Sequence, residues 1–294
     1  MKDYALIAYA YNKEVRLYVA TSTHLVEEAR IIHDTWPTAT AALGRFLTAS
    51  AMMGLMYKEG ERITLRIKGD GPISSMLVEA NTLGEVRAEI SNPHVYLKYD
   101  DEIKKNKLNV GAAVGQGFLH ITKDLGMKDF FTSSSELQTG EIGDDFTYYF
   151  ALSEQIPSSV GLGVLVDIDQ HVLASGGYIL QLMPNASEQT ISTIENLIKT
   201  LSPVTQMIHE GKQPEDILSI LANHTEQILS KHQISYTCHC SKKGFSKSLS
   251  ALDQETLNQL IHEDGQAEIK CHFCGKEYQF SKDELQKIKD YQKK

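Results

Sequence analysis

The sequence predicts an α+β protein in three parts: an N-terminal mixed α/β core domain over residues 1–184, a helical linker over 185–232, and a small cysteine-bearing C-terminal module over 233–294. Three observations carry this reading. Short runs of alternating apolar and polar residues, separated by turn signals, recur through the first 184 residues beside one almost wholly apolar run, Ala39 to Tyr57. After Pro184-Asn185 the apolar residues fall three and four apart instead. The only 4 cysteines of the chain all lie between positions 238 and 274.

Composition sets bounds. A chain of 294 residues, 41% hydrophobic and 23% charged, can bury a sizeable core and carry a second small domain. No apolar run reaches the length of a membrane-spanning helix. Met1-Lys2-Asp3-Tyr4 does not open an apolar signal segment, so a cytoplasmic protein with reduced thiols is expected. The net charge is -9, and all six arginines lie at or before Arg87. From residue 233 onward, ten lysines face nine acidic residues. A module that grips phosphates needs a basic, arginine-bearing face, so no nucleic-acid partner is expected.

In chain order, Tyr4-Ala5-Leu6-Ile7-Ala8-Tyr9 and Val15-Arg16-Leu17-Tyr18-Val19 read as a hairpin broken at Asn12-Lys13. Ser22 or Thr23 is expected to cap a helix. Pro37 suits the first turn of the next helix, and its run to Tyr57 carries Arg45 as the only charge. A helix apolar on nearly every side is a buried one. Arg45 must therefore meet a carboxylate or reach the surface. Residues 62–90 read as a β-meander with turns at Gly69-Asp70-Gly71-Pro72 and Asn81-Thr82-Leu83-Gly84. Residues 98–110 read as a solvated loop, Gly111 to Leu125 as strand, Asp144 to Gln155 as helix, and Val160 to Ile168 and Val172 to Met183 as strands. No catalytic set stands out, and the chain is not expected to be an enzyme. Ser22, His24 and Asp34 form a triad only on paper, since a chain with 11 histidines supplies such coincidences freely.

The linker shows three short helical patterns. Ile191, Ile194, Leu197, Ile198 and Leu201 follow the helical period in the first; Val204, Met207 and Ile208 share one face of the second; Ile217, Leu218 and Leu221 mark the third. Pro203 and Pro214 keep them from fusing into one helix. Helices this short do not persist alone in water, so each must lay its apolar stripe on something else.

The module holds Cys238-His239-Cys240 and Cys271-His272-Phe273-Cys274. A Cys-x-Cys and a Cys-x-x-Cys each offer two soft sulfurs from one tight turn, and together they fit one tetrahedral Zn²⁺. Gly275 and Ser241-Lys242-Lys243-Gly244 let the backbone bend after each pair. Four sulfurs already close a structural site, which leaves His239 and His272 as exposed neighbours. The expected fold is thus an α+β core with a helical linker and a small C-terminal zinc-binding module. Closely spaced thiols also form strained, labile disulfides, so the centre reads either as a static staple or as a redox-sensitive clasp. A zinc-ribbon nucleic-acid or ribosome-associated factor is the alternative. A thiol oxidoreductase using Cys271 and Cys274 is weaker, because its motif opens a helix, whereas here the motif lies between two strand-like runs.

The order of parts resembles the redox-regulated heat-shock protein 33 chaperone family of bacteria along the whole chain. The likeness is carried by Pro37-Thr38-Ala39-Thr40-Ala41-Ala42-Leu43-Gly44-Arg45, Gly69-Asp70-Gly71-Pro72, Ser153-Glu154-Gln155-Ile156-Pro157-Ser158-Ser159-Val160, Gly176-Gly177-Tyr178-Ile179-Leu180-Gln181 and the four cysteines. Arg87-Ala88-Glu89 departs from it, since the family usually has glycine after the arginine; the departure touches the core and not the cysteines. The resemblance implies an ATP-independent holdase acting on unfolding client proteins, idle when reduced and zinc-bound, and commonly dimeric when active. It implies metal ligation by Cys238, Cys240, Cys271 and Cys274, and oxidation to the disulfides Cys238–Cys240 and Cys271–Cys274 with loss of zinc. On that reading module and linker unfold, and Ile191, Ile194, Leu197, Ile198, Val204, Met207, Ile217, Leu218 and Leu221 become client-binding surface.

Overall fold

The computed structural model describes residues 2–100 and 107–291. The chain forms two compact units, Met1–Thr237 and Cys238–Lys294. Strands β1 (Tyr4–Ala10) and β2 (Val15–Thr21) form the opening hairpin, followed by helices α1 (Thr23–His33) and α2 (Pro37–Gly54). Strands β3 (Arg62–Gly69), β4 (Ser75–Asn81) and β5 (Glu85–Ile90) form the meander. Then come α3 (Val110–Val114), β6 (Gly117–Asp124), β7 (Phe131–Glu136), α4 (Gly143–Ser153), β8 (Ser158–Val166) and β9 (Val172–Leu182). Helices α5 (Glu188–Thr200), α6 (Val204–His209) and α7 (Pro214–Leu221), with strands β10 (Gln227–Gln233) and β11 (Ser235–Tyr236), complete the first unit.

Two sheets organise the first unit, in the orders β10-β1-β2-β9-β8 and β11-β5-β4-β3-β6-β7. Helix α2 packs on strands of both and is buried along nearly its whole length. Gly44 permits this closeness: a Cβ there would lie 2.5 Å from Val26 Cγ1 and 2.8 Å from Val164 Cγ2. Arg45 meets the Glu141 carboxylate, which also accepts hydrogen bonds from the Tyr99 hydroxyl at 2.6 Å and the Gly111 amide at 3.0 Å.

The five-stranded sheet has two buried faces because strand residues alternate. Ala5, Ile7, Tyr18, Ala20 and Ile179 join the core built on α1 and α2. Leu6, Ala8, Leu17, Val19, Tyr178 and Leu180 form the second core with the helices of 188–221.

Several local expectations give way to tertiary context. Residues 110–114 are helical, not strand, because Asn109 caps that turn by accepting from the Ala112 amide at 2.9 Å. Of the loop expected at 98–110, Lys98 bridges to Leu108, and 101–106 lie outside the described residues. Ser22 precedes α1 without capping it by its side chain; its buried hydroxyl meets Thr48 Oγ1 at 2.7 Å and Ser175 Oγ at 2.8 Å. The paper triad is dispersed, since His24 lies beside Asp3 at 3.5 Å and Asp34 beside His94 at 3.1 Å.

Candidate metal centre and the covered sheet face

The second unit has a small core: Leu249, Ile261, Ala267, Phe280, Leu285 and Ile288. Helix α8 (Lys242–Leu249) starts on Ser241, whose hydroxyl accepts from the Gly244 amide at 3.1 Å. Helix α9 (Gln254–Gln259) is capped by Asp253 and runs into a π-helical turn at Leu260–Asp264. Strands β12 (Gln266–Lys270) and β13 (Glu277–Ser281) pair antiparallel, and α10 (Lys282–Tyr291) follows, with Glu284 accepting from the Ser281 amide at 2.9 Å.

Cys271 and Cys274 sit in the turn of this hairpin. The Gly275 amide donates to the Cys271 carbonyl at 2.8 Å, the Cys271 amide donates to the Lys276 carbonyl at 2.9 Å, and Gly275 is left-handed at φ 70. That tight turn aims both sulfurs the same way. Cys238 and Cys240 meet them: all four Sγ atoms lie within 4.8 Å of one another. Cys238 to Cys271 is 3.7 Å and Cys240 to Cys274 is 3.3 Å. A tetrahedral ion with bonds of about 2.3 Å sets its sulfurs about 3.8 Å apart, so the cluster is of the size that suits zinc. His239 and His272 are exposed.

Tyr278 completes the surroundings, and the sequence does not point to it. Its hydroxyl lies 3.2 Å from Cys240 Sγ and 3.1 Å from the Cys240 carbonyl oxygen. Only the strand register, which sets Tyr278 opposite Ile269, brings it there. Burial works against the Cys240 thiolate, but hydrogen bonds from Tyr278 and the neighbouring thiols outweigh it and hold the group down at about 7. Burial pushes Cys274 up to about 12 and also raises Cys271. Four thiols this close cannot all ionise by themselves; a central cation is what lets them.

The helices of 188–221 show what the second core covers. Ile194, Val204, Met207, Ile217, Leu218 and Leu221 are buried against the outer face of the five-stranded sheet, and Ile198 packs at its margin. Ile191 and Leu197 are half-exposed and lie outside that buried set. Helix α6 approaches β8 and β9 closely because the strands carry glycine beneath it. A Cβ on Gly163 would lie 2.5 Å from Thr205 Cγ2, and one on Gly176 would lie 2.4 Å from Ile208 Cδ1.

Fold and centre together define a two-unit α+β protein whose C-terminal unit closes on a four-thiol centre. A family model described as Hsp33 protein matches residues 3–281. The 33 kDa chaperonin of Acholeplasma laidlawii is 54% identical over 288 residues, covering 98% of this chain and 99% of that protein. The 33 kDa chaperonin of Bacillus subtilis is 45% identical over 289 residues, covering 98% of each. The crystal structure of the 33 kDa chaperonin (heat shock protein 33 homolog) from Thermotoga maritima superposes with a TM-score of 0.90 at 33% identity, covering 99% of this chain and 98% of that one. The chain belongs to the Hsp33 family, a family of chaperones. No helix among the described residues is long and apolar enough to cross a membrane.

Proposed function

We propose that this protein is a redox-regulated, ATP-independent holdase of the cytoplasm, idle when reduced and active when oxidised. The observation that carries the proposal is the meeting of four sulfurs within 4.8 Å in a unit whose buried core is only a handful of side chains. Cys238, Cys240, Cys271 and Cys274 hold one zinc ion in the reduced state; bound there, zinc supplies cross-linking energy, of order 10–16 kcal/mol in small thiolate peptides.

Oxidation withdraws the ligands. Each pair of thiols gives up two protons and two electrons to a peroxide or hypochlorite and becomes a disulfide, which no longer offers thiolates to a metal. The pairs follow the family resemblance, Cys238 with Cys240 and Cys271 with Cys274, and leave the two halves of the centre untied. The second unit then loses its staple.

The linker, 185–232, responds. Its helices gain about 1.5–3 kcal/mol for each large apolar side chain they bury, and helices this short do not persist without that support. They let go under heat or when the neighbouring chain unfolds. Release exposes Ile191, Ile194, Leu197, Ile198, Val204, Met207, Ile217, Leu218 and Leu221, together with Leu6, Leu17, Val19 and Leu180 of the sheet beneath. An exposed apolar surface of this extent captures unfolding chains, and the net charge of -9 keeps it dispersed. The active form is a homodimer.

The test is suppression of aggregation of a heat-unfolding enzyme, without ATP, before and after hypochlorite. Activity only after oxidation is expected. Equal activity of the reduced, zinc-loaded protein rejects the switch.

A further inference from the structure

We infer that the β1 edge of the five-stranded sheet is a strand-addition site for extended segments of unfolded chains, and that β10 occupies it as a removable placeholder; this rests on the holdase reading above. Strand β10 pairs antiparallel with β1 from Tyr4↔Gln233 to Tyr9↔Gln227, with a register irregularity at Ile7/Ala8. The two partners are unequal. Ala5, Leu6, Ile7 and Ala8 of β1 are buried on both faces of the sheet. None of the seven residues of β10 is buried, and Ile228 and Leu229 are 50% and 52% exposed. A strand with no side chain in the core is held by its backbone ladder, and a ladder accepts any extended sequence.

The side-chain ties of β10 make it removable. Lys231 lies over the Tyr4 ring at 3.7 Å and pairs with Glu215 of α7 at 3.0 Å. Glu215 also accepts from the Tyr4 hydroxyl at 2.5 Å. Departure of α7 takes Glu215 away and with it Lys231's ionic partner. Beyond β10 the chain is anchored separately, since Ile234 is buried and its amide donates to the Asp3 carbonyl at 3.1 Å. Residues 222–233 can therefore lift off the edge together with α7 while the chain stays attached at Ile234.

The vacated edge offers unpaired N–H and C=O groups beside the face formed by Leu6, Leu17, Val19 and Leu180. Its fitting occupant is an extended apolar stretch of an unfolded protein. The backbone gives sequence-independent hydrogen bonds and the uncovered face gives apolar contact, the combination that broad client recognition requires.

Hydrogen exchange on the full-length oxidised protein tests this, with reduced, carboxymethylated lactalbumin as a permanently unfolded probe. Upon oxidation and mild heating, the alternate amides of 4–9 that face β10 should lose protection together with 227–233. The probe should restore protection to 4–9 by about tenfold or more while 227–233 stay open. Probe binding with β10 still protected, or with 4–9 left open, overturns the strand-addition site and leaves the holdase reading intact. Protection of 4–9 that rises with protein concentration in the absence of probe assigns the edge to a second copy and also overturns it. No probe binding after oxidation rejects the holdase reading itself.

Discussion

The Tyr236 hydroxyl and the Ala88 backbone are joined twice: the hydroxyl donates to the Ala88 carbonyl at 3.1 Å and accepts from the Ala88 amide at 3.1 Å. His33 Nε2 lies 3.0 Å from the same oxygen, and the Thr237 amide donates to the Val86 carbonyl at 2.8 Å. The residues just before Cys238 are thus pinned into the first unit by buried polar contacts. On the proposed switch, loss of structure at the cysteines would meet this pin before it reached the linker.

Tyr236→Phe removes both bonds and leaves the Ala88 groups buried and unpaired, a cost of roughly 1–3 kcal/mol. The variant should keep its zinc but become active after oxidation at a lower temperature than the parent. A temperature series of aggregation suppression, with zinc content measured in parallel, checks this. An unchanged activation temperature shows that the pin does not gate the linker.

Zinc should be present at one ion per chain in protein purified under reducing conditions. The Cys271→Ser, Cys274→Ser double variant should lose it. Chelation should abolish amide protection in 238–291 while sparing strands such as β3 and β8. Elemental analysis and exchange read the two halves of this expectation, and full occupancy in the double variant refutes the ligand set.

Peptide mapping of the oxidised protein should find Cys238 joined to Cys240 and Cys271 to Cys274. All pairings are within reach in the folded state, since the four sulfurs lie within 4.8 Å of one another. A map dominated by bonds between the two pairs would contradict the switch, because such bonds tie the halves as the metal does.

Loosening the linker helices alone should mimic oxidation. Leu218 is fully buried beneath α7, and Leu218→Ala should cost about 2–5 kcal/mol of packing. Gly163→Val should drive α6 off the sheet by collision with Thr205. Both variants are expected to suppress aggregation while still reduced and zinc-loaded. If either exposes residues 188–221 to exchange and remains idle, the client surface lies elsewhere.

Glu27 should give a pH-dependent contribution to stability. Its carboxylate takes a side-chain hydrogen bond from Arg30 and, opposed by partial burial, further bonds from the Val172 amide and His171, which hold it down at about 2 against an ordinary 4.5. A carboxyl depressed on folding stabilises above its unfolded value and loses that effect as pH falls from 4.5 toward 2. Glu27→Gln should therefore lower the Tm at pH 7, and the gap from the parent should close progressively below pH 4.5. A gap independent of pH would mean that Glu27 acts through packing and not charge.

The α+β class, the buried course of α2, the meander of β3 to β5, the three apolar stripes of 188–221 and the four-cysteine centre were all legible in the amino-acid sequence. Each rests on a periodicity or spacing that a local pattern carries: Ile63, Leu65 and Ile67 alternate because one face of β3 is wet, and Cys-x-Cys with Cys-x-x-Cys is a ligand pattern in any fold. What escaped was decided by contacts between distant residues. Strands β7 and β10 lie at or near sheet edges with mostly exposed side chains, so they show no alternation, and only their backbone partners make them strands. Ser22 would cap a helix in isolation but turns its hydroxyl to Thr48 and Ser175, which the fold brings beside it. Tyr236 and Tyr278 are ordinary tyrosines in the sequence; strand register alone sets one on Ala88 and the other on Cys240. Local pattern thus determined which chemistry the chain carries. Tertiary pairing decided which face the helices of 188–221 cover and where the residues before Cys238 are held, because hydrogen bonds and packing between residues far apart in sequence leave no trace in its local periodicity.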